Sequence, residues 1–516
     1  METFSDADYS GAAEREDAMS TLPVRSRTLR IAATLTTGVV ALALALSLAA
    51  PAFAAPTLLR LSTDPYTNTT SQHQTEVEPD TLSAGSTIVS AFQVGRFFNG
   101  GASNIGFATS TDGGATFTNG FLPGTTVFAT PAGPYQRTSD ASVAFDAKHG
   151  VWLISYLGIV NPAGPVDVVL SRSTDGGLTW GNPVAVNASG HFNDKNWTVC
   201  DDTSSSPFYG NCYTEYDDNT LGDLIQMSVS TDGGLTWSAG QATANSSHGL
   251  GGQPLVQPNG NVIVPIVGFN GGRGGGNFLM LSFTSSDGGA SWGKTRMVAR
   301  ISFHNPNGGI RADIPLPSGE LDNSGNAYLV WSDCHFEPNC SASDLVLSTS
   351  ADGQHWSPLT RIPVDPRGSG VDHFIPGLAV DRSTSGSTAH LALAYYYYPN
   401  ANCTSATCQL DVGFTTSTDG GATWSAPTQL AGPMSLGWLP NTTQGTMVGD
   451  YISTSFSGGQ AFPEFAVANA PTGGVFDEAT YTISGGLSAS AGSVAASDTT
   501  NAATNAVPTS GSLTAQ

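Results

Sequence analysis

Ser173-Thr-Asp175-Gly-Gly177-Leu-Thr179-Trp180 is a stretch that repeats along the chain. It returns as Ser230 to Trp237, Ser417 to Trp424, Ser110 to Phe117 (Phe for Trp) and Ser285 to Trp292 (Ser291 for Thr), and, one residue short, as Ser350 to Trp356. The aspartates Asp112, Asp175, Asp232, Asp287, Asp352 and Asp419 are spaced by 63, 57, 55, 65 and 67 residues. A steady period of this size marks a repeat architecture. Within each copy Gly supplies positive φ, Asp accepts N–H groups inside the loop and the aromatic packs beneath it, so each copy reads as a turn between two strands.

Upstream of each copy stand three strand-like runs, for example Asp140 to Asp146, Val151 to Tyr156 and Val166 to Ser173. Three strands before the turn and one after it make a four-stranded antiparallel blade. A last unit, Asp450 to Phe456, Phe462 to Val467 and Ala479 to Ile483, lacks a turn copy and a fourth strand. The orphan strand Leu58 to Ser62 can supply that strand and leave no free sheet edge. The expectation is an all-β propeller over residues 57–484 with seven blades, six being the alternative, closed by the N-terminal strand.

The S-x-D-x-G-x-T-W pattern resembles the Asp-box of the sialidase-like β-propellers. In that family the boxes lie at the periphery, away from the catalytic site, so the resemblance implies a structural role for all six aspartates.

Lys and Arg number 18 against 41 Asp and Glu, a net charge of −23, and charged residues make up only 11% of the 516-residue chain. A basic groove that tracks phosphates is thereby excluded, and with it nucleic acid as the main ligand. Residues 1–54 read as an export signal. Arg25, Arg27 and Arg30 precede the uncharged stretch Ile31 to Ala50, and Ala52-Phe-Ala54 offers a small-x-small cleavage site. A retained membrane anchor is the competing reading, because the apolar stretch is long enough to span a bilayer. An even set of cysteines behind an export signal reads as disulfides, and proximity pairs Cys200 with Cys212, Cys334 with Cys340 and Cys403 with Cys408. Residues 485–516, rich in Ser, Ala, Thr and Gly, read as an unstructured tail. A secreted monomer is expected.

Strand direction places the box turns on the lower face of the propeller. The starts of the innermost strands and the loops between second and third strands then lie on the upper face. Alignment on the boxes puts Glu78, Asp140, Asp194, Gln253, Asp313, Asp372 and Asp450 at those starts. The carboxylates either cap neighbouring loop N–H groups or ring the channel mouth to bind sugar hydroxyls or a structural cation. No organic cofactor and no dedicated metal site is expected, and Asp372-His373 is too small a cluster to read as one. Arg96 and Arg273 fall in upper loops, and Tyr398 near the rim is a candidate for stacking on a sugar.

The resemblance implies an exo-sialidase chemistry: three arginines on the substrate carboxylate, a tyrosine nucleophile activated by a glutamate, and an aspartate as acid/base. By position these are Arg96, Arg137 and Arg311 for the carboxylate, Tyr451 as nucleophile, and Glu78 or Asp140 as its base or the acid. The family's F/Y-R-I-P motif is absent before the first box. Arg361-Ile-Pro363 follows the fifth box on an outer strand and is read as chance. The expected function is a secreted sialidase-like glycoside hydrolase acting on terminal sialic acid of a sialoglycoconjugate. The alternative is a non-catalytic glycan- or protein-binding extracellular propeller.

Overall fold

The structure, a computed structural model, describes residues 56–269, 278–496 and 499–500. The proposed export signal and Arg273 lie outside the described residues. Described strands form six antiparallel sheets of four to eight strands, the largest joining two consecutive repeats through a pairing of Ala102 with Thr138. Within a repeat the strands follow chain order, as in Arg137–Asp146, Val151–Ile159, Val166–Ser173 and Val184–Asn187. This is an all-β, multi-sheet fold of propeller type built on the box repeat.

The boxes form the expected turns. In the second copy Asp175 accepts the N–H groups of Leu178 (3.1 Å) and Thr179 (2.9 Å) and the Thr179 hydroxyl (2.5 Å). Gly177 has φ +82°, and a Cβ there would come within 2.7 Å of Val89. Its carbonyl accepts the Thr109 hydroxyl at 2.6 Å from the preceding repeat, so the turn also docks one repeat on another. The box Trp180 packs 5.8 Å from Phe107 of that same preceding repeat.

Leu58–Arg60 pairs antiparallel with Val475–Ile483, Leu58 opposite Ile483, as the sequence reading anticipates. The three disulfides pair neighbours in sequence: Cys200–Cys212, Cys334–Cys340 and Cys403–Cys408. Two expectations need correction. The segment after Gly485 is not wholly unstructured: Leu487–Ser488 pairs with Gln460–Thr472, and Val494–Ala495 pairs with Thr423–Trp424. Its small residues let the backbone lie close against strand edges, which polarity alone does not reveal. Tyr398 is fully buried, edge-on to Phe374 at 5.0 Å, and offers no face to a sugar.

Candidate functional site: an ion cluster between repeats

The first strands of four repeats carry the same irregularity. Their ladders skip between Val77 and Asp80, Ser139 and Ser142, Asp194 and Trp197, and Phe374 and Gly377. In each skip one non-glycine residue has positive φ: Glu78 (56°), Asp140 (49°), Lys195 (50°) and Ile375 (51°). Such bulges re-aim a side chain out of the ladder at a cost of about 1 to 3 kcal/mol each. Three of the four carry charge.

This corrects the expected acidic ring. The residue equivalent to Glu78 and Asp140 is Lys195 in the third repeat, not Asp194, and Ile375 in the sixth, not Asp372. Asp372 instead accepts the Ser343 N–H at 2.7 Å and faces His304 Nδ1 at 2.9 Å, tying two neighbouring repeats together. Gln253 does the same by accepting the Gly319 N–H at 2.6 Å, as does Asp80 from the Val143 N–H at 2.7 Å. Asp313 lies before its repeat's first strand, Ser318–Leu321, and lines the cleft described below.

The charged bulge residues converge with Asp450. Lys195 Nζ lies 2.5 Å from Asp450 Oδ2 and 3.1 Å from Asp140 Oδ2, and Arg311 Nη2 reaches the same Asp450 oxygen at 2.5 Å. Glu78 accepts the Asp450 N–H at 2.9 Å and the Gln93 amide, whose oxygen accepts from Arg96. Burial alone would raise the Asp450 carboxyl, but Arg311 and Lys195 hold it well below the usual carboxylate range. Burial, then the charges of Asp140 and Asp450, push Glu78 up to about 7. Burial opposes the charge on Lys195 and Arg311, yet the surrounding carboxylates outweigh it and raise both.

Beside this cluster opens a cleft of about 430 Å³, lined among others by Arg96, Asn99, Lys195, Arg311, Thr443 and Asp450. A much smaller cavity of about 30 Å³ adjoins it, lined by Trp197, Gln253, Pro376 and Tyr451. Asp140, Lys195 and Asp450 border both, so the ion cluster lies between the cleft and the smaller cavity.

The predicted site residues therefore divide. Arg96, Arg311, Asp140 and Asp450 meet at the cleft floor. Arg137 stands aside: it donates to Asn99 Oδ1 and the Gly100 carbonyl, both at 2.7 Å, with its guanidinium 4.0 Å over Phe97. Glu78 is buried beneath and borders neither space. Tyr451 lines the smaller cavity, donating to the Ala141 carbonyl at 2.9 Å, its ring edge-on to Trp197 at 5.3 Å. Burial and the charges of Glu78 and Asp140 raise its phenol well above 10, the reverse of activation. Lys195, which the sequence marks only as a cation next to Asp194, takes the bulge position itself; the step from Asp194 to Trp197 in the ladder that puts it there belongs to the fold and not to the sequence.

Residues 135–374 match the family model of the BNR repeat-like domain. No curated protein matches the chain. An ulvan lyase, a polysaccharide lyase solved with -[GlcA(1-4)Rha3S]-, is 11% identical over 84% of this chain and 97% of its own, with a TM-score of 0.49. An α-L-arabinofuranosidase from Fusarium graminearum is 14% identical over 70% of this chain and 97% of its own, at 0.43. A Hadza microbial sialidase is 14% identical over 67% of this chain, at 0.41, and this chain spans only 65% of its length.

Proposed function

We propose that the protein is an extracellular carbohydrate-recognising propeller of seven blades in a closed ring, whose cleft takes an acidic sugar of a glycan. The ring reading is supported by the first strands, each of which lies against the next, Ser453–Ser457 lying also against Glu76–Ala84. The extracellular reading is supported by the three disulfides. Among the described residues no helix is long and apolar enough to cross a membrane.

One observation carries the ligand class. Arg96 borders the cleft, is 1% exposed, and its Nε and Nη2 have no hydrogen-bond partner among the described residues. A buried guanidinium with unmatched donors is costly, and a carboxylate meets the fork of such a group two bonds at a time. Arg311 lines the same cleft, and its charge acts on Arg96.

Release of sialic acid is the second reading, favoured by the place of Tyr451 next to Asp450 in the chain and among carboxylates. For attack on the anomeric carbon its hydroxyl must leave the Ala141 carbonyl and reach a carboxylate base. Incubation with an aryl sialoside separates the readings. Aglycone release that disappears in Tyr451→Phe selects the hydrolase; retention of acidic glycans without release selects the binding protein.

A further inference from the structure

Where the fifth repeat meets the sixth, away from the cleft, a second polar cluster is buried. Asp344, Asp365 and His373 each present a ligating atom, and these atoms lie within 4.8 Å of one another. Asp344 opens the strand Asp344–Ser350, His373 stands in the strand Asp372–Val380, and Asp365 follows Leu359–Arg361.

The cluster is organised in advance. Arg361 Nε takes Asp344 Oδ1 at 2.7 Å, and its Nη1 and Nη2 take the Asp365 carbonyl at 2.8 Å and Oδ1 at 2.5 Å. Each carboxylate keeps its other oxygen: Asp365 Oδ2 accepts the Ser369 hydroxyl, while Asp344 Oδ2 is buried with no partner among the described residues, on a side chain 2% exposed. His373 is 2% exposed, and its Nδ1 faces the Ser343 carbonyl at 3.0 Å. That bond requires the proton on Nδ1 and leaves Nε2 its lone pair, the arrangement found behind metal-bound imidazoles. Tyr395 and Tyr397 hold the ring at 5.6 and 6.2 Å. Glu337, whose charge acts on Asp344, has a buried Oε2 without a partner as well; its Oε1 accepts the Gly368 N–H at 2.8 Å.

We propose that Asp344, Asp365 and His373, with Glu337 beside them, form a binding site for a divalent cation of the zinc type that fastens the fifth repeat to the sixth. Three carboxylates against the single guanidinium of Arg361 leave two negative charges, which a divalent ion neutralises. The imidazole among oxygen donors favours zinc over calcium, whose ligands are oxygens alone. Arg361 then has a role of its own: it orients two ligands.

The test uses the full secreted chain, stripped with a chelator, equilibrated with zinc chloride or calcium chloride, desalted, and assayed for bound metal and thermal midpoint. Wild-type protein is expected to retain about one equivalent of zinc and to melt higher for it. His373→Gln and Asp344→Asn are expected to retain about a tenth of that or less, with no zinc-dependent rise. Wild-type zinc below about a tenth of an equivalent overturns the proposal whether or not the variants fold, and shows that Arg361 alone serves as counter-ion. Retention of calcium but not zinc overturns the assigned class, and equal zinc on wild type and folded variants places the metal elsewhere.

Discussion

Lys195 and Asp450, 255 residues apart in sequence, meet at 2.5 Å where both border the cleft. Both are largely buried, and the pair is completed by Asp140 and Arg311. Removing one partner of such a set strands the others in a poor solvent for charge. Lys195→Met is therefore expected to lower unfolding free energy by about 3 to 5 kcal/mol, measured by urea titration. A loss under about 1 kcal/mol would mean that the cluster is open to water.

Arg96 should behave in the opposite way. Two of its nitrogens lack partners, so Arg96→Met removes little that stabilises the empty protein. The thermal midpoint is expected to stay level or rise. A fall as large as that of Lys195→Met would show that Arg96 serves the fold and not a ligand.

Stability should peak at mildly acidic pH. Hydrogen bonds from Thr116 and Thr179 hold the box carboxyls of Asp112 and Asp175 at about 2, so their contribution is present above the unfolded value of about 4 and is lost as pH falls through 2. Burial raises Glu76, Glu78 and Asp80 to about 7 and Glu464 to about 8, so their contribution is present below about 4 and is lost as pH rises through 7 to 8. The two windows leave a maximum near pH 4 to 5. Calorimetric melting across pH 3 to 9 checks this, and a midpoint highest near pH 8 contradicts it.

Deletion of residues 56–61 should open the sheet edge at Val475–Ile483 and remove the buried Leu61. Leu61→Ala alone is expected to cost about 2 to 5 kcal/mol. An unchanged melting curve for the deletion would contradict closure of the sheet by the N-terminal strand.

What could be read from sequence was local. A box is eight consecutive residues whose Asp, Gly and Trp act on one another, so its turn is visible in the letters, as are disulfides that close loops of 5, 6 and 12 residues. The pairing of Leu58 with Ile483 was also accessible, because an incomplete last unit calls for a missing strand. The ion cluster was not. Counting back from the boxes puts Asp194 and Asp372 where bulges put Lys195 and Ile375, and a left-handed φ at Lys195 leaves no mark in its letter. Tyr451 was expected beside Glu78 because both stand near strand starts, yet its hydroxyl is held by a backbone carbonyl that carries no sequence signal.

The central claim, that Arg96 and its neighbours receive an acidic sugar, is tested most directly by calorimetric titration of one pair of oligosaccharides differing only in a terminal sialic acid. Wild-type protein should bind the sialylated member and not the neutral one. Arg96→Met should weaken that binding about ten- to a hundredfold, the worth of a charge-assisted pair of about 1.5 to 3 kcal/mol. Equal affinity for both sugars, or an unaltered affinity in Arg96→Met, would contradict the account.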